Sequence, residues 1–230
     1  TKPDNMYSEW DLHLLWSMPE ETVAYFNEIL RTDGSVLEFV DSDWSMLNER
    51  LAKHYAIENV HGYEPRRVKL PADSQRGGVM TQAVVLKVTA NGTTTSPITR
   101  GAWVLDRILG QPPSPPPPNL PAIEPDIRGA TTIREQLEKH RNVGACATCH
   151  KYIDPPGFAL ERFDVIGAER DWYRTRGEGG YVRKPRHPQT PNSFVLYRRG
   201  PDVDASGTMP DGRSFSGIRE YKKLLSENET

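Results

Sequence analysis

At 230 residues the chain is long enough for one large domain or two small ones. A net charge of −2 and a pI near 6.3 leave no basic excess for a nucleic-acid partner. Mean hydropathy is −0.65, and no apolar run approaches the ~20 residues that cross a bilayer, so the sequence holds no transmembrane segment.

Residues 1–60 read as helical. Trp10, Leu12, Leu14, Leu15 and Trp16 mark a first helix. Pro19, Glu20 and Glu21 predict the start of a second, because proline and acidic residues are favoured in a first turn. Val23, Phe26, Ile29 and Leu30 then recur at helical spacing until Asp33-Gly34. A short helix is expected over 36–40, and Asp43 is placed to cap another that aligns Leu47, Leu51 and Tyr55. Arg66 to Leu70 alternates like a strand. Val79 to Val88 is apolar and fits helix or buried strand equally. Ile98 to Leu109 reads as an amphipathic helix.

Composition breaks at Gln111. Pro112-Pro113-Ser114-Pro115-Pro116-Pro117-Pro118 predicts an extended polyproline II strut. The expected organisation is a helical module over 1–110, a proline-rich linker over 111–128, and a second domain over 129–230.

Thr132-Ile133-Arg134-Glu135 is a capping-box pattern and opens a helix that runs to about Asn142. It delivers the chain to Cys146-Ala147-Thr148-Cys149-His150, the C-x-x-C-H spacing of covalent c-type haem attachment. Two thiols one helical turn apart would form thioethers with the vinyl groups, and the adjoining His150 would ligate the iron. A redox dithiol would follow a strand in a βαβ pattern, and none precedes Cys146. A zinc site would need two more ligands, and the chain has no other cysteine.

Downstream, Pro155 or Pro156 is placed to offer a carbonyl to the His150 Nδ1. Phe158, Leu160 and Phe163 form an apolar face for the porphyrin. Residues 168–199 are polar, rich in Arg and Gly, and show little period. Trp172, Tyr173 and Tyr181 are candidate walls for the haem; Arg170, Arg174 and Arg176 are candidate propionate partners. A hairpin over 203–215 turns at Pro210-Asp211-Gly212, and a last helix follows through Ile218, Tyr221 and Leu225. Met209 stands in that hairpin as the expected sixth iron ligand, with His187 or an open position as the alternatives.

Arg76 to Gln82, Thr95 to Gly101, the polyproline run and the stretch Cys146 to Gly167 together resemble the planctomycete-type cytochrome C domain family, over roughly residues 35–225. That family consists of long exported multidomain proteins. The resemblance implies haem c at Cys146, Cys149 and His150, and a chain that is one portion of a larger protein. The expected fold is mainly α, with a cytochrome c-like haem domain that carries a small β insertion. The expected function is electron transfer in a periplasmic or cell-surface setting, to a redox partner protein or to neighbouring domains. The alternatives are a haem enzyme or sensor with an open sixth position, and a structural module stapled by haem.

Overall fold

The computed structural model describes residues 2–3, 5–114, 131–141, 144–185 and 194–227, without the side chains of 139–141, 144–146, 184–185 and 194–196. Helix α1 spans Leu12–Arg31 without a break. Asp11 caps it, its Oδ1 accepting from the Leu14 N–H at 2.7 Å. Pro19 lies inside the helix rather than opening a second one. It removes one backbone donor. Leu14, Met18, Glu21, Tyr25 and Ile29, buried on one face on both sides of it, anchor the continuous helix.

Strand β1 (Trp44–Leu47) pairs antiparallel with β2 (Arg66–Lys69), Trp44 opposite Lys69 and Leu47 opposite Arg66. The helix expected from Asp43 therefore starts later. Asn48 caps α2 (Glu49–His54), its Oδ1 accepting from the Leu51 N–H at 3.0 Å. The ambiguous stretch from Val79 resolves into a 3₁₀ turn over Val79–Thr81 and α3 (Ala83–Val88). Helix α4 (Pro97–Arg107) is capped by Ser96 and begins with proline in its first turn.

Beyond the proline run come α5 (Ile133–Arg141) and α6 (Gly144–Ala159). The capping box forms as read: the Glu135 N–H donates to Thr132 Oγ1 at 3.2 Å, and the Thr132 N–H to Glu135 Oε2 at 2.9 Å. Residues 115–130, with most of the polyproline run, lie outside the described residues.

The expectation of a mainly α fold is overturned. The chain is mixed α/β, 41% helical and 15% strand, with three small sheets. The Arg- and Gly-rich stretch that lacked a period is the principal source. It supplies β3 (Trp172–Thr175), β4 (Tyr181–Pro185) and β5 (Phe194–Asp202), ordered β3-β5-β4. β3 meets β5 across a register shift between Trp172 and Arg174, which breaks the alternation a sequence reader looks for. Strands β6 (Gly207–Thr208) and β7 (Ser214–Phe215) form the expected hairpin, and α7 (Ile218–Ser226) closes the chain.

The stretches before and after the proline run share their cores. One cluster joins Met6, Tyr7, Leu14, Met18, Leu47 and Leu51 to Val165, Ile166 and Tyr197. A second joins Met80, Leu86 and Val104 to Leu160, Phe163, Phe215 and Tyr221. Polar contacts follow the same seam. Arg76 donates to Thr81 O at 2.9 Å and to Gly167 O at 2.6 Å, and lies 3.5 Å over the Tyr55 ring. His54 Nε2 meets Ile166 O at 2.7 Å.

Helices α4 and α6 cross at two glycine notches. A Cβ on Gly101 would sit 1.8 Å from the Ile153 carbonyl oxygen, and one on Gly157 would sit 2.0 Å from that of Pro97. Only glycine lets the two backbones approach this closely.

Candidate functional site

The C-x-x-C-H segment lies on α6, so its spacing is read on a helix. Residues three apart on a helix are neighbours on one side, and the next residue points about 100° away. Ala147, Thr148 and Cys149 are exposed, and the Cys149 thiol is free. The Cys146 side chain falls outside the described residues. His150 turns inward and is buried, as are Ile153, Asp154, Pro155 and Pro156. The helix thus presents a thiol to solvent and an imidazole to the protein side.

The His150 ring is held by a carboxylate. Its Nδ1 lies 2.8 Å from Asp154 Oδ1, four residues on and so one turn along the same face. The sequence reading had expected a carbonyl of the 153–156 segment in that role. The i,i+4 geometry supplies the Asp154 side chain instead. An ionised carboxylate only accepts, so this contact suits the neutral ring protonated on Nδ1, the tautomer in which Nε2 is the metal-binding nitrogen. A carboxylate behind a histidine fixes the ring and raises its basicity. Pro155 and Pro156 sit within the helix, where they remove the donors that the carbonyls of Lys151 and Tyr152 would otherwise use. Both of those residues are exposed.

Phe158, Leu160 and Phe163 are buried. The Arg134 guanidinium lies 3.9 Å over the Phe158 ring. Leu160 and Phe163 pack among α3, α4 and α7 residues in the second core cluster. Met209 is half-buried against that same cluster, in a turn where its N–H donates to Arg213 O and its own carbonyl accepts from the Gly212 N–H. His187 lies outside the described residues.

Arg170 and Arg174, proposed for propionates, are engaged elsewhere. Arg170 donates to Glu161 Oε2 at 3.0 Å and Arg174 to Glu9 Oε2 at 2.9 Å. Trp172 packs on the first core cluster, tilted against Tyr197, and Tyr181 is exposed.

The segment after α6 is wired to α4 by one residue that sequence reasoning passed over. Arg100 is fully buried. It donates to the carbonyls of Leu160 and Phe163 at 2.8 Å and of Asp164 at 2.9 Å, and lies 3.3 Å from Glu161. Burial pulls its pKa down to about 10, and Glu161 opposes that shift. Glu161 in turn accepts from Thr95, Arg170 and Tyr173. Asp164 Oδ1 accepts the N–H groups of Ile166 and Ala168, closing the turn after the helix. These bonds fix the turn that follows α6. The acidic residues spaced through 161–164 are the sequence signal that could have pointed to this network.

The donor set fits a covalently held haem: an accessible thiol, and a ring whose tautomer is set by its carboxylate. Among the described residues no three His, Cys, Asp or Glu side chains gather as a multidentate metal site. A groove of about 1130 Å³ lies elsewhere, lined by Asp41, Lys69, Arg219 and Lys222 among others, and touches no residue of the motif.

The family model PSCyt3, described as a protein of unknown function (DUF1588), matches residues 76–173. A second, PSD4, described as a protein of unknown function (DUF1592), matches residues 1–57. Both are planctomycete cytochrome-type domain families named without a function. No curated protein and no solved structure matches the chain. The first match begins at Arg76, runs through α4 and α6, and ends at Tyr173, so it encloses the whole arginine–glutamate network.

Proposed function

We propose that the chain is a haem c-binding, electron-transferring part of a larger extracytoplasmic protein, with Cys146 and Cys149 as attachment points and His150 as the proximal ligand. The observation that carries this reading is the contact between His150 Nδ1 and Asp154, beside the exposed thiol of Cys149. When bound, haem supplies a one-electron ferric/ferrous couple. The protein's part is to hold and tune it. Asp154 keeps the proton on Nδ1 and adds electron density to Nε2, which favours the ferric state. The Arg100–Glu161 network anchors the C-terminal end of the helix that carries the ring. The redox partner is another protein or a neighbouring domain.

The test is a denaturing mass measurement on protein matured with a cytochrome c assembly system, paired with a pyridine-haemochrome spectrum. A chain heavier by one haem, with the spectrum of two thioether bonds, is the expected result. Apoprotein mass after maturation refutes the reading.

A second reading rests on the same carboxylate. Electron density pushed onto the proximal ligand is also what peroxide chemistry uses. This reading requires an open sixth position. Prompt binding of CO to the reduced protein supports it; a spectrum unmoved by CO supports the electron carrier.

A further inference from the structure

Helix α1 is amphipathic twice over. One face is buried in the core. The opposite face is also apolar, and it is bare. Leu12 is 71% exposed, Trp16 66%, Val23 61%, Phe26 48% and Leu30 64%, with Pro19 exposed between them. At 100° per residue these six positions fall within about 40° of one line along the helix. The stripe is some 27 Å long at a rise of ~1.5 Å per residue. A surface helix ordinarily turns charge toward water on this side. A continuous exposed patch of this kind marks an interaction site.

The order of the residues selects the occupant. About a point at position 21 the stripe is symmetric in spacing and apolar character: Leu12 balances Leu30, the aromatic Trp16 balances Phe26, and Pro19 balances Val23. Two copies of α1 laid antiparallel about a two-fold axis at that point bring each such pair to one height. Trp16 and the partner's Phe26 then fall on opposite sides of the seam, so they interdigitate rather than collide. An isologous contact requires this self-complementary pattern. Antiparallel helix macrodipoles also oppose favourably. The exposed apolar area of the stripe is on the order of 700 Å², close to the ~800 Å² that one partner contributes to a standard interface.

We propose that the exposed face of α1 is a homodimer interface, in which two copies of this chain pack α1 against α1, antiparallel, about a two-fold axis beside Glu21. Glu21 itself faces the core of its own copy. Glu20 is exposed next to the axis, where it meets its own counterpart. That is a like-charge contact, so its neutralisation strengthens the dimer.

The test uses the 230-residue matured chain in sedimentation velocity over a concentration series reaching ~100 µM, with circular dichroism to verify folding. The expected result is a dimer that Trp16→Glu plus Val23→Glu converts to monomer without change in helical signal. A chain that stays monomeric throughout the series overturns the proposal, as does a folded double variant that still dimerises. Should the double variant lose its fold, Glu20→Gln replaces it, and tighter dimerisation is required. Orientation is read by oxidative cross-linking, with the unsubstituted chain as the blank for Cys149. Glu20→Cys cross-links to itself across the axis. Arg31→Cys does not, because antiparallel packing holds the two copies of that position ~30 Å apart along the helix axis. Self-cross-linking at Arg31→Cys would mean parallel packing and would overturn the arrangement.

Discussion

His150 and Asp154 form a buried pair on one face of α6, Nδ1 to Oδ1 at 2.8 Å, one helical turn apart. The pair sets which ring nitrogen is protonated before any ligand arrives. In the haem-loaded protein, Asp154→Asn keeps an acceptor for the Nδ1 proton but removes the negative charge. Partners of this kind change metal affinity or activity about 10–100-fold. Applied to the ferric-over-ferrous preference, that range corresponds to a rise of roughly 60–120 mV in the midpoint potential. Spectroelectrochemical titration of the two proteins measures it. An unchanged potential removes Asp154 from the tuning of the site.

Met209→Leu tests the sixth ligand. Thioether ligation gives the ferric protein a weak charge-transfer band near ~700 nm and a raised potential. The substitution should abolish the band and lower the potential. Stability should move by less than ~1.5 kcal/mol, because the swap conserves volume in a half-buried position. A wild-type spectrum without the band assigns the position to another ligand or to none.

Gly101→Ala tests the α4–α6 crossing. The added methyl would meet the Ile153 carbonyl at 1.8 Å, and neither helix backbone can yield locally. A loss of about 3 kcal/mol is expected, at the upper end for overpacking. Chemical denaturation at constant m-value reads it. Gly110→Ala is the control. No atom lies near its Cβ, although its positive φ of 62° adds a smaller backbone cost.

Glu21 carries a prediction about pH. Its carboxyl is buried between Ser45 and Tyr55, and that burial pushes its pKa up from 4.5 to about 7. The folded state therefore holds a proton between those values that the unfolded state has released. Linkage then makes stability fall as pH rises from about 4.5 to about 7, by up to ~3 kcal/mol in all. Glu21→Gln retains an acceptor and a neutral group, so it should lose this fall and keep only the opposite trend from His54, whose pKa burial pulls down to about 3. Urea midpoints at pH 5 and pH 8 for both proteins decide it.

The proposed chemistry of the site rests on a short stretch of sequence. Cys146 to His150 is a spacing rule, and spacing survives without a structure. Asp154 was equally visible as a carboxylate four residues on, but it became meaningful only once His150 was known to lie on a helix. Before that, the proline pair pointed to a backbone carbonyl. Helices α4, α5 and α7 were legible because each carries its own periodicity or cap. The β3–β5–β4 sheet was not, since its pairs are long-range and β5 runs through arginine and glycine with no apolar alternation. Arg100 and Gly101 were opaque for a related reason. Their partners lie some fifty to sixty residues away, and nothing local announces a buried guanidinium or a backbone contact.

The first core cluster also imposes an order of events on the newly made chain. Leu14 and Met18 share their cluster with Val165, Ile166 and Tyr197, some 150 to 180 residues further along the chain. At about 5–20 residues per second, roughly 10–40 s of synthesis separate Met18 from Tyr197. Through that interval α1 has apolar surface bare on the face destined for the core as well as on the opposite one. The nascent α1 segment is thus a natural client for a holdase, and its full burial waits on β5 as well as on its nearer neighbours Leu47 and Leu51.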